Sequence, residues 1–261
     1  MIGHLAVAMV AVVLSTIVTS PTVRGQGQPP IAPLPKECAT PGIPSPVSAL
    51  PNTARALKER KKIKILAIGG TSASLRGPVS GGHYAVVERL LETTFKGLDV
   101  EIVHRGVSGE LAADASERIK TEVALVEADL VLWQVGTADA LARVPVAQFR
   151  EAVSQTVVWL KEHNIDVILI GLRYARNMAR DDHYRLIRSA IQEIAKEQNV
   201  LRIGRYEAEE TLEGIRNAQG SAFSTIEADA GYACTAEYLA RAIAAGLYMG
   251  APAPQPGPEK K

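Results

Sequence analysis

Residues 130–139 read LVLWQVGTAD, and this stretch decides the fold class. Its first six residues, 130–135, are apolar at nearly every position, which is typical of a parallel strand covered on both faces of a sheet. The strand leads directly into a Gly-Thr-Ala-Asp turn. Because open α/β sheets bind their ligands beyond the carboxyl ends of the strands, this turn is a candidate for part of a functional site.

Short apolar runs alternate with longer amphipathic runs along the rest of the chain. The short runs predict further strands at residues 63–68, 100–104, 166–170 and 200–203. Helical spacing of apolar residues predicts helices at residues 83–95, 111–126, 146–163, 182–198 and 235–248. This alternation predicts an α/β fold, a three-layer α/β/α sandwich with a parallel five-stranded sheet and right-handed crossovers.

The two ends of the chain differ in composition from its middle. Residues 5–18 form an apolar run before a zone of small residues, which predicts a signal peptide over residues 1–25. Residues 26–60 form a Pro-rich lead-in, residues 61–248 the folded domain and residues 249–261 a disordered tail. We therefore expect a periplasmic or secreted protein without a stable membrane span in the mature chain. The alternatives are an uncleaved anchor and a wrongly assigned start codon.

The chain has two cysteines, Cys38 and Cys234. In an oxidising compartment they are expected to pair and to tie the start of the mature chain to the C-terminal helix. The alternative is two separate buried thiols.

Composition and motifs limit the partners and cofactors. The formal net charge is +1, and no basic stripe with interleaved aromatic residues occurs, so a small ligand is expected and nucleic acid is not. The loop after the first strand lacks both the glycine spacing of a dinucleotide fold and the lysine of a P-loop, so no cofactor is expected. Asp181, Asp182 and His183 begin a predicted helix, where carboxylates serve as caps, so no metal site is predicted.

Two further loops at strand ends carry candidate chemistry. The first strand leads into Gly69-Gly70-Thr71-Ser72, a turn that can present hydroxyl and backbone N–H groups to a cleft. An ordinary Gly/Ser loop is the alternative interpretation. The second strand leads into residues 104–110, HRGVSGE, where a glycine before a helix can offer its N–H to an oxyanion.

Together, these loops resemble the SGNH/GDSL hydrolase family, and most closely its exported bacterial branch. That branch is expected to carry the blocks IGSSST, NRGVGGE, WQVGTND and HMNDxGYxC. This chain has IGGTS at 68–72, HRGVSGE at 104–110, WQVGTAD at 133–139 and IEADAGYAC at 226–234. The resemblance covers residues 63–248 in order and spacing, and it implies an SGNH hydrolase-like, flavodoxin-like sandwich.

The resemblance also implies a nucleophilic Ser, an oxyanion-binding Gly, an oxyanion-binding Asn and an Asp-x-x-His pair. In this chain those positions fall, in that order, on Thr71, Gly109, Ala138, Phe223 and Ile226. Only the glycine is kept. No histidine follows His183, so shifting the alignment does not restore a C-terminal base.

These substitutions predict an inactive or strongly impaired hydrolase fold that keeps a cleft for a carbohydrate, acyl or envelope ligand. The alternative is an active acyl or acetyl esterase that uses Thr71 or Ser72 with a displaced base. His104 and His83 are the candidate bases, and Asp139 is a candidate to orient one of them or to bind a ligand hydroxyl. Otherwise Asp139 is a turn or helix-cap residue, and the histidines are structural or surface groups.

Overall fold

Five parallel strands form the central sheet. The computed structural model describes residues 34–35, 38, 48–70, 82–218 and 225–250. The strands are β1 (Lys62–Gly69), β2 (Asp99–Gly106), β3 (Leu130–Gln134), β4 (Asp166–Ile170) and β5 (Leu201–Ile203). They lie in the order β2-β1-β3-β4-β5, and each neighbouring pair is parallel. The predicted five-stranded parallel sheet is confirmed.

Helices cover both faces of this sheet. The helices within the described residues are α1 (Pro51–Arg60), α2 (Gly82–Thr94), α3 (Ala112–Val126), α4 (Thr137–Leu141), α5 (Val146–Glu162), α6 (Asp182–Glu197), α7 (Arg205–Ala218) and α8 (Thr225–Gly250). One hydrophobic core joins the sheet to α3, α5 and α6, and a second joins it to α1, α2 and α8. The three-layer sandwich is therefore confirmed.

Strand β3 shows why the apolar run at 130–135 predicts a central strand. Val131 and Trp133 belong to the core on the α3 side, whereas Leu130 and Leu132 belong to the core on the α2 side. All four side chains are at most 1 % exposed. Because successive residues of a strand face opposite ways, a strand buried on both faces must be apolar throughout.

Helix α1 lies within the last ten residues of the predicted lead-in, and it was not predicted. Its first residue is Pro51, whose fixed φ suits the first position of a helix. The buried carboxylate of Asp166 accepts hydrogen bonds from the N–H and Oγ1 of Thr53, both at 2.8 Å, and from Nδ2 of Asn52 at 3.1 Å. These bonds satisfy donors at the start of the helix and fasten the lead-in to β4.

The charged sequence of residues 205–213 predicts a solvated segment, followed by a Gly/Asn/Ser-rich loop at 214–224. Residues 205–218 instead form helix α7. Arg205, Tyr206 and Leu212 are 2 %, 3 % and 7 % exposed. Nε of Arg205 donates to Oε1 of Glu209 at 2.8 Å, four residues on, which is the helical spacing for an ion pair. The expectation was wrong because this pairing allows a charged side chain to be buried.

The predicted disulfide between Cys38 and Cys234 is confirmed, with the two Cα atoms 5.2 Å apart. Both cysteines are 2 % exposed and pack with Leu212. The hydroxyl of Tyr238 donates to the carbonyl oxygen of Cys38. The bridge therefore anchors the segment before α1 to α8 and α7.

The predicted signal peptide lies outside the described residues, as does most of the predicted tail, although α8 continues to Gly250. Within the described part of the chain, no helix combines the length and apolar character needed to cross a bilayer.

Candidate functional site

The ends of β1 and β3 and the loop after β2 meet at the carboxyl end of the sheet, where β1 lies between β2 and β3. Gly69 ends β1 with a φ of +127°, and a Cβ on it would lie 2.4 Å from the carbonyl oxygen of Gln134. The N–H of Val107 donates to the carbonyl oxygen of Gly69 at 3.0 Å. Both the positive φ and the close approach require glycine at this position. The ends of the first and third strands and the second loop are thus held together.

The family's nucleophile position follows this junction. Thr71 and Ser72 lie outside the described residues, as does Phe223. Ile226 is the second residue of α8, so the position of the family's base falls in the first turn of that helix.

Gly109 lies in the exposed loop between β2 and α3. Its φ is +75°, and a Cβ built on it would have nothing within 4 Å. The next residue anchors the loop, because the Glu110 carboxylate accepts from Nε and Nη2 of Arg118 at 2.7 and 2.6 Å. The backbone at Gly109 is therefore open to solvent. The loop that carries it is fixed to α3 by the Glu110–Arg118 pair.

Ala138 stands in the first turn of α4. Gly136 caps this helix with a φ of +98°, and a Cβ there would lie 2.8 Å from Cδ1 of Ile191 and 2.9 Å from Cδ1 of Leu172. The backbone thus needs glycine at 136, as in the Gly-Thr turn that the sequence shows. A methyl group at 138 cannot donate a hydrogen bond. The turn is retained without its side-chain donor.

Asp139 joins α4 to α3. It is 1 % exposed, and its Oδ1 accepts from the N–H of Ala112, the first residue of α3, at 2.9 Å. Burial raises the pKa of this carboxyl, while the N–H of Ala112 opposes the shift. No histidine bonds to either carboxylate oxygen in the described part of the chain. The side chain therefore acts as a helix cap between two of the three loops.

His104 lies near the end of β2 on the α2 side of the sheet. Its ring centroid is 5.6 Å from that of Tyr84, and its Nε2 is 2.8 Å from the position that a Cβ on Gly106 would take. Burial lowers the pKa of this imidazole, and the charges of Arg105 and Arg118 lower it further. Among the described residues no carboxylate bonds to the ring. Within the described residues, His104 therefore has no partner of the kind that orients a catalytic base.

His83 lies elsewhere, against a small cavity between α2 and α8 at the carboxyl ends of β3 and β4. It is 4 % exposed. The described apolar residues of the lining are Val87, Ile170, Ala236 and Leu239. The described polar residues are His83, Tyr84, Gln134, Arg205 and Thr235. The structure therefore does not bring the two candidate histidines to one position.

Of the five polar residues described at this cavity, sequence reasoning identified only His83 as a candidate site residue. Tyr84 is buried, and burial raises its pKa to about 12, so its hydroxyl stays protonated at neutral pH. Its position on the face of α2 that carries Val87 and Leu91 was a usable signal, because these residues share helical spacing. Arg205 lies in a charged run, and nothing in the local sequence distinguishes it from the other charged residues there.

The acidic cluster at the start of α6 serves as a cap. Oδ1 of Asp181 accepts from the N–H of Tyr184 at 2.8 Å, and the carboxylate also pairs with Arg143. Within the described residues, no group of three or more His, Cys, Asp and Glu side chains is arranged to hold a metal ion.

Solved structures of an esterase and of a G-D-S-L family protein have a similar fold. The acetylxylan esterase Axe2 from Geobacillus stearothermophilus is 21% identical with a TM-score of 0.56, over 69% of this chain and 94% of that one. A G-D-S-L family protein from Desulfitobacterium hafniense DCB-2 is 22% identical with a TM-score of 0.52, over 69% of this chain and 98% of that one. At these identities the likeness shows the fold, which is that of the SGNH/GDSL hydrolases.

The family assignment is narrower than the fold. The model of the non-GDSL lipase-like family matches residues 37–249. The chain belongs to that family, and with it to the SGNH/GDSL hydrolases. No curated protein matches it.

Proposed function

We propose that this protein is an exported SGNH-fold protein that binds a carbohydrate, acyl or envelope ligand and has little or no ester hydrolase activity. Ala138 carries this proposal, because a methyl group replaces the expected donor amide in a turn whose glycine geometry is kept. Loss of one oxyanion donor costs about 10²–10³ in rate. Selection for turnover would oppose that substitution, whereas ligand binding tolerates it.

The proton relay gives a second line of support. Ile226 takes the place of the family's base, and no histidine follows His183 in the chain. The remaining carboxylate of the third loop, Asp139, caps α3. A hydroxyl without an oriented base is a weak nucleophile near neutral pH. The base and the oxyanion donor belong to one catalytic apparatus, so the effects of their loss on the rate are not additive. Each of them is nevertheless needed for efficient turnover.

The described strand ends and loops support ligand binding, because they are held in fixed positions. Gly69, Gly136 and the Glu110–Arg118 pair brace them, and Gly109 remains exposed. The similar structure whose name states a substrate is an acetylxylan esterase. An acyl group on a carbohydrate is therefore the ligand class that we favour.

Export is supported by two features that lie far apart in the sequence. Residues 5–18 form the apolar run of a signal peptide, and the Cys38–Cys234 bridge is of a kind that persists in oxidising compartments. Expression of the full chain in a bacterium, followed by fractionation and N-terminal sequencing, tests this part. We expect a product in the periplasm or medium that begins near residue 26. An intact N-terminus in the cytoplasm would contradict it.

An ester hydrolase with a displaced base is the second candidate. It is favoured by the two histidines on the α2 side of the sheet, since His83 lies on α2 itself and His104 packs against the neighbouring Tyr84. The end of β2 pairs with the end of β1, and the hydroxyls of Thr71 and Ser72 follow β1 in the sequence.

Hydrolysis of a short-chain nitrophenyl ester and labelling by a serine-directed fluorophosphonate distinguish the two candidates. We expect neither signal from the purified wild type. Turnover that Thr71→Ala or Ser72→Ala abolishes would instead establish the hydrolase. Thr94→Ala, which removes a hydroxyl bonded within α2, is the matched control. In that event His83→Gln and His104→Gln identify the base.

Restoring the family's groups tests the alignment. A variant with Thr71→Ser, Ala138→Asn, Phe223→Asp and Ile226→His is expected to gain measurable esterase activity. The same variant with Ala138 retained should be slower by about 10²–10³, the usual cost of one missing oxyanion donor. A folded but inactive quadruple variant would show that the closing block is misplaced.

A further inference from the structure

The described lining of the small cavity between α2 and α8 includes neither Gly109 nor Ala138. Its described apolar walls come from Val87, Ile170, Ala236 and Leu239, which are 0 %, 4 %, 2 % and 2 % exposed. None of these positions corresponds to a residue of the family's relay. The cavity is thus a feature of this chain for which the resemblance gives no role.

Gln134 connects this cavity to the first loop. Its side chain lines the cavity, and its amide nitrogen lies 3.9 Å from the position that a Cβ on Gly70 would take. Gly70 immediately precedes the hydroxyls at 71 and 72. A ligand held beside the first loop would therefore have this cavity directly next to it.

The size and lining of the cavity restrict what can enter. Its space suits about one or two groups the size of a water molecule. The surface that faces this space is mainly apolar, and its described lining includes no Asp or Glu. The lining does include Arg205, whose charge is already paired with Glu209 at 2.8 Å. A space of this kind favours a small apolar group over an ion, because a buried charge without a partner is strongly disfavoured.

We propose that this cavity receives the methyl end of an acetyl group, with the acetyl carbonyl beside Gln134 and Gly70. The inference rests on the proposed function, since it narrows the ligand of the same cleft to an acetylated compound. The size of the cavity limits the length of the acyl chain that can bind. A pocket filled by a methyl group discriminates against each added methylene by about 10–200-fold.

A series of neutral acyl probes tests this assignment. N-Methylacetamide, N-methylpropionamide and N-methylbutyramide are titrated into the folded chain, and binding is followed by changes in its NMR spectrum. We expect the wild type to prefer the acetyl to the butyryl probe by at least about tenfold. Val87→Ala removes two methyl groups from the wall and is expected to reverse or abolish that order.

Val153→Ala is the matched control, because it makes the same change at an equally buried position, in the core on the other face of the sheet. It should keep the wild-type order of the three probes. Equal binding of the probes, no binding by any of them, or a similar change of order in both variants would each overturn the proposal. The esterase assay on the same sample reports separately on the proposed function, since turnover would refute inactivity without altering the order of the probes.

Discussion

Reduction of the Cys38–Cys234 bridge should lower the stability of this protein more than any single exposed substitution. The bridge joins residues with a sequence separation of 196. Both cysteines are buried, together with Leu212. Reduction keeps the two sulfur atoms and their packing, so it removes chiefly the constraint on the unfolded chain.

The magnitude follows from the length of the closed loop. In the chain-entropy treatment, a loop of this length gives about 5 kcal/mol at 25 °C. For a domain of this size each kcal/mol corresponds to about 2–4 °C in the melting temperature. We therefore expect reduction to lower the melting temperature by roughly 10–20 °C.

Urea unfolding followed by circular dichroism, with and without reductant, measures this loss. The double variant Cys38→Ala/Cys234→Ala should be about as unstable as the reduced wild type, with a small further loss from packing. It should also be insensitive to reductant, which controls for effects of the reagent. A loss below about 1 kcal/mol in the wild type would refute the loop-length argument.

Three further predictions concern residues that brace the site and the sheet. Asp166→Ala removes three hydrogen bonds to the start of α1. It should lower the free energy of unfolding, measured in urea, by about 2–4 kcal/mol. Asp182→Ala is the control, because that side chain is 83% exposed, and it should cost less than about 0.5 kcal/mol. Gly136→Ala should destabilise the protein more than Gly97→Ala in the same assay. Both glycines have a positive φ, but of the two only the Cβ at 136 would meet other side chains, the nearest at 2.8 Å. Burial raises the pKa of Asp139 in the folded chain, so its contribution to stability is complete below the unfolded pKa of about 3.9 and is lost as the pH rises through the folded pKa. The stability of the wild type relative to Asp139→Asn should therefore improve as the pH falls from about 7 to about 4, and a difference independent of pH would contradict the buried environment.

Elements with a strong local pattern were predicted well. Strand β4 (Asp166–Ile170) has the predicted bounds, and β3 ends at Gln134, one residue before the predicted end. Helix α5 (Val146–Glu162) also ends one residue early. A buried parallel strand and an amphipathic helix can each be recognised from the period of their apolar residues. This period can be found without knowing which elements pack against them.

Elements whose stability depends on a distant partner were missed. Helix α1 follows a Pro-rich stretch and is fastened by Asp166, more than a hundred residues along the chain. Helix α7 carries a charged sequence in which Arg205 is buried beside Glu209. The Glu209 carboxylate also accepts from the N–H of Tyr174, which follows β4, at 2.7 Å. In both cases polar contacts stabilise a helix in a segment whose apolar pattern alone predicts exposure to solvent.

The sequence predicts some features of the candidate site, and others depend on contacts between distant parts of the chain. The sequence alone predicts which loops lie at the carboxyl edge and that Gly109 is kept while Ala138 cannot donate. It does not separate the candidate histidines, which the structure places in different surroundings, His104 near cationic side chains and His83 against the cavity.

The amino-acid sequence by itself determined the parallel sheet and the order of its loops, and it predicts that the positions of the family's donor and base are substituted, because periodicity and residue identity are local properties. Only the tertiary structure decided that Asp139 caps α3 and that α2, β3, β4 and α8 enclose a small apolar cavity. Each of these depends on side chains far apart in the chain sharing one volume. Their positions follow from how the helices pack on the sheet, and no run of neighbouring residues encodes that packing.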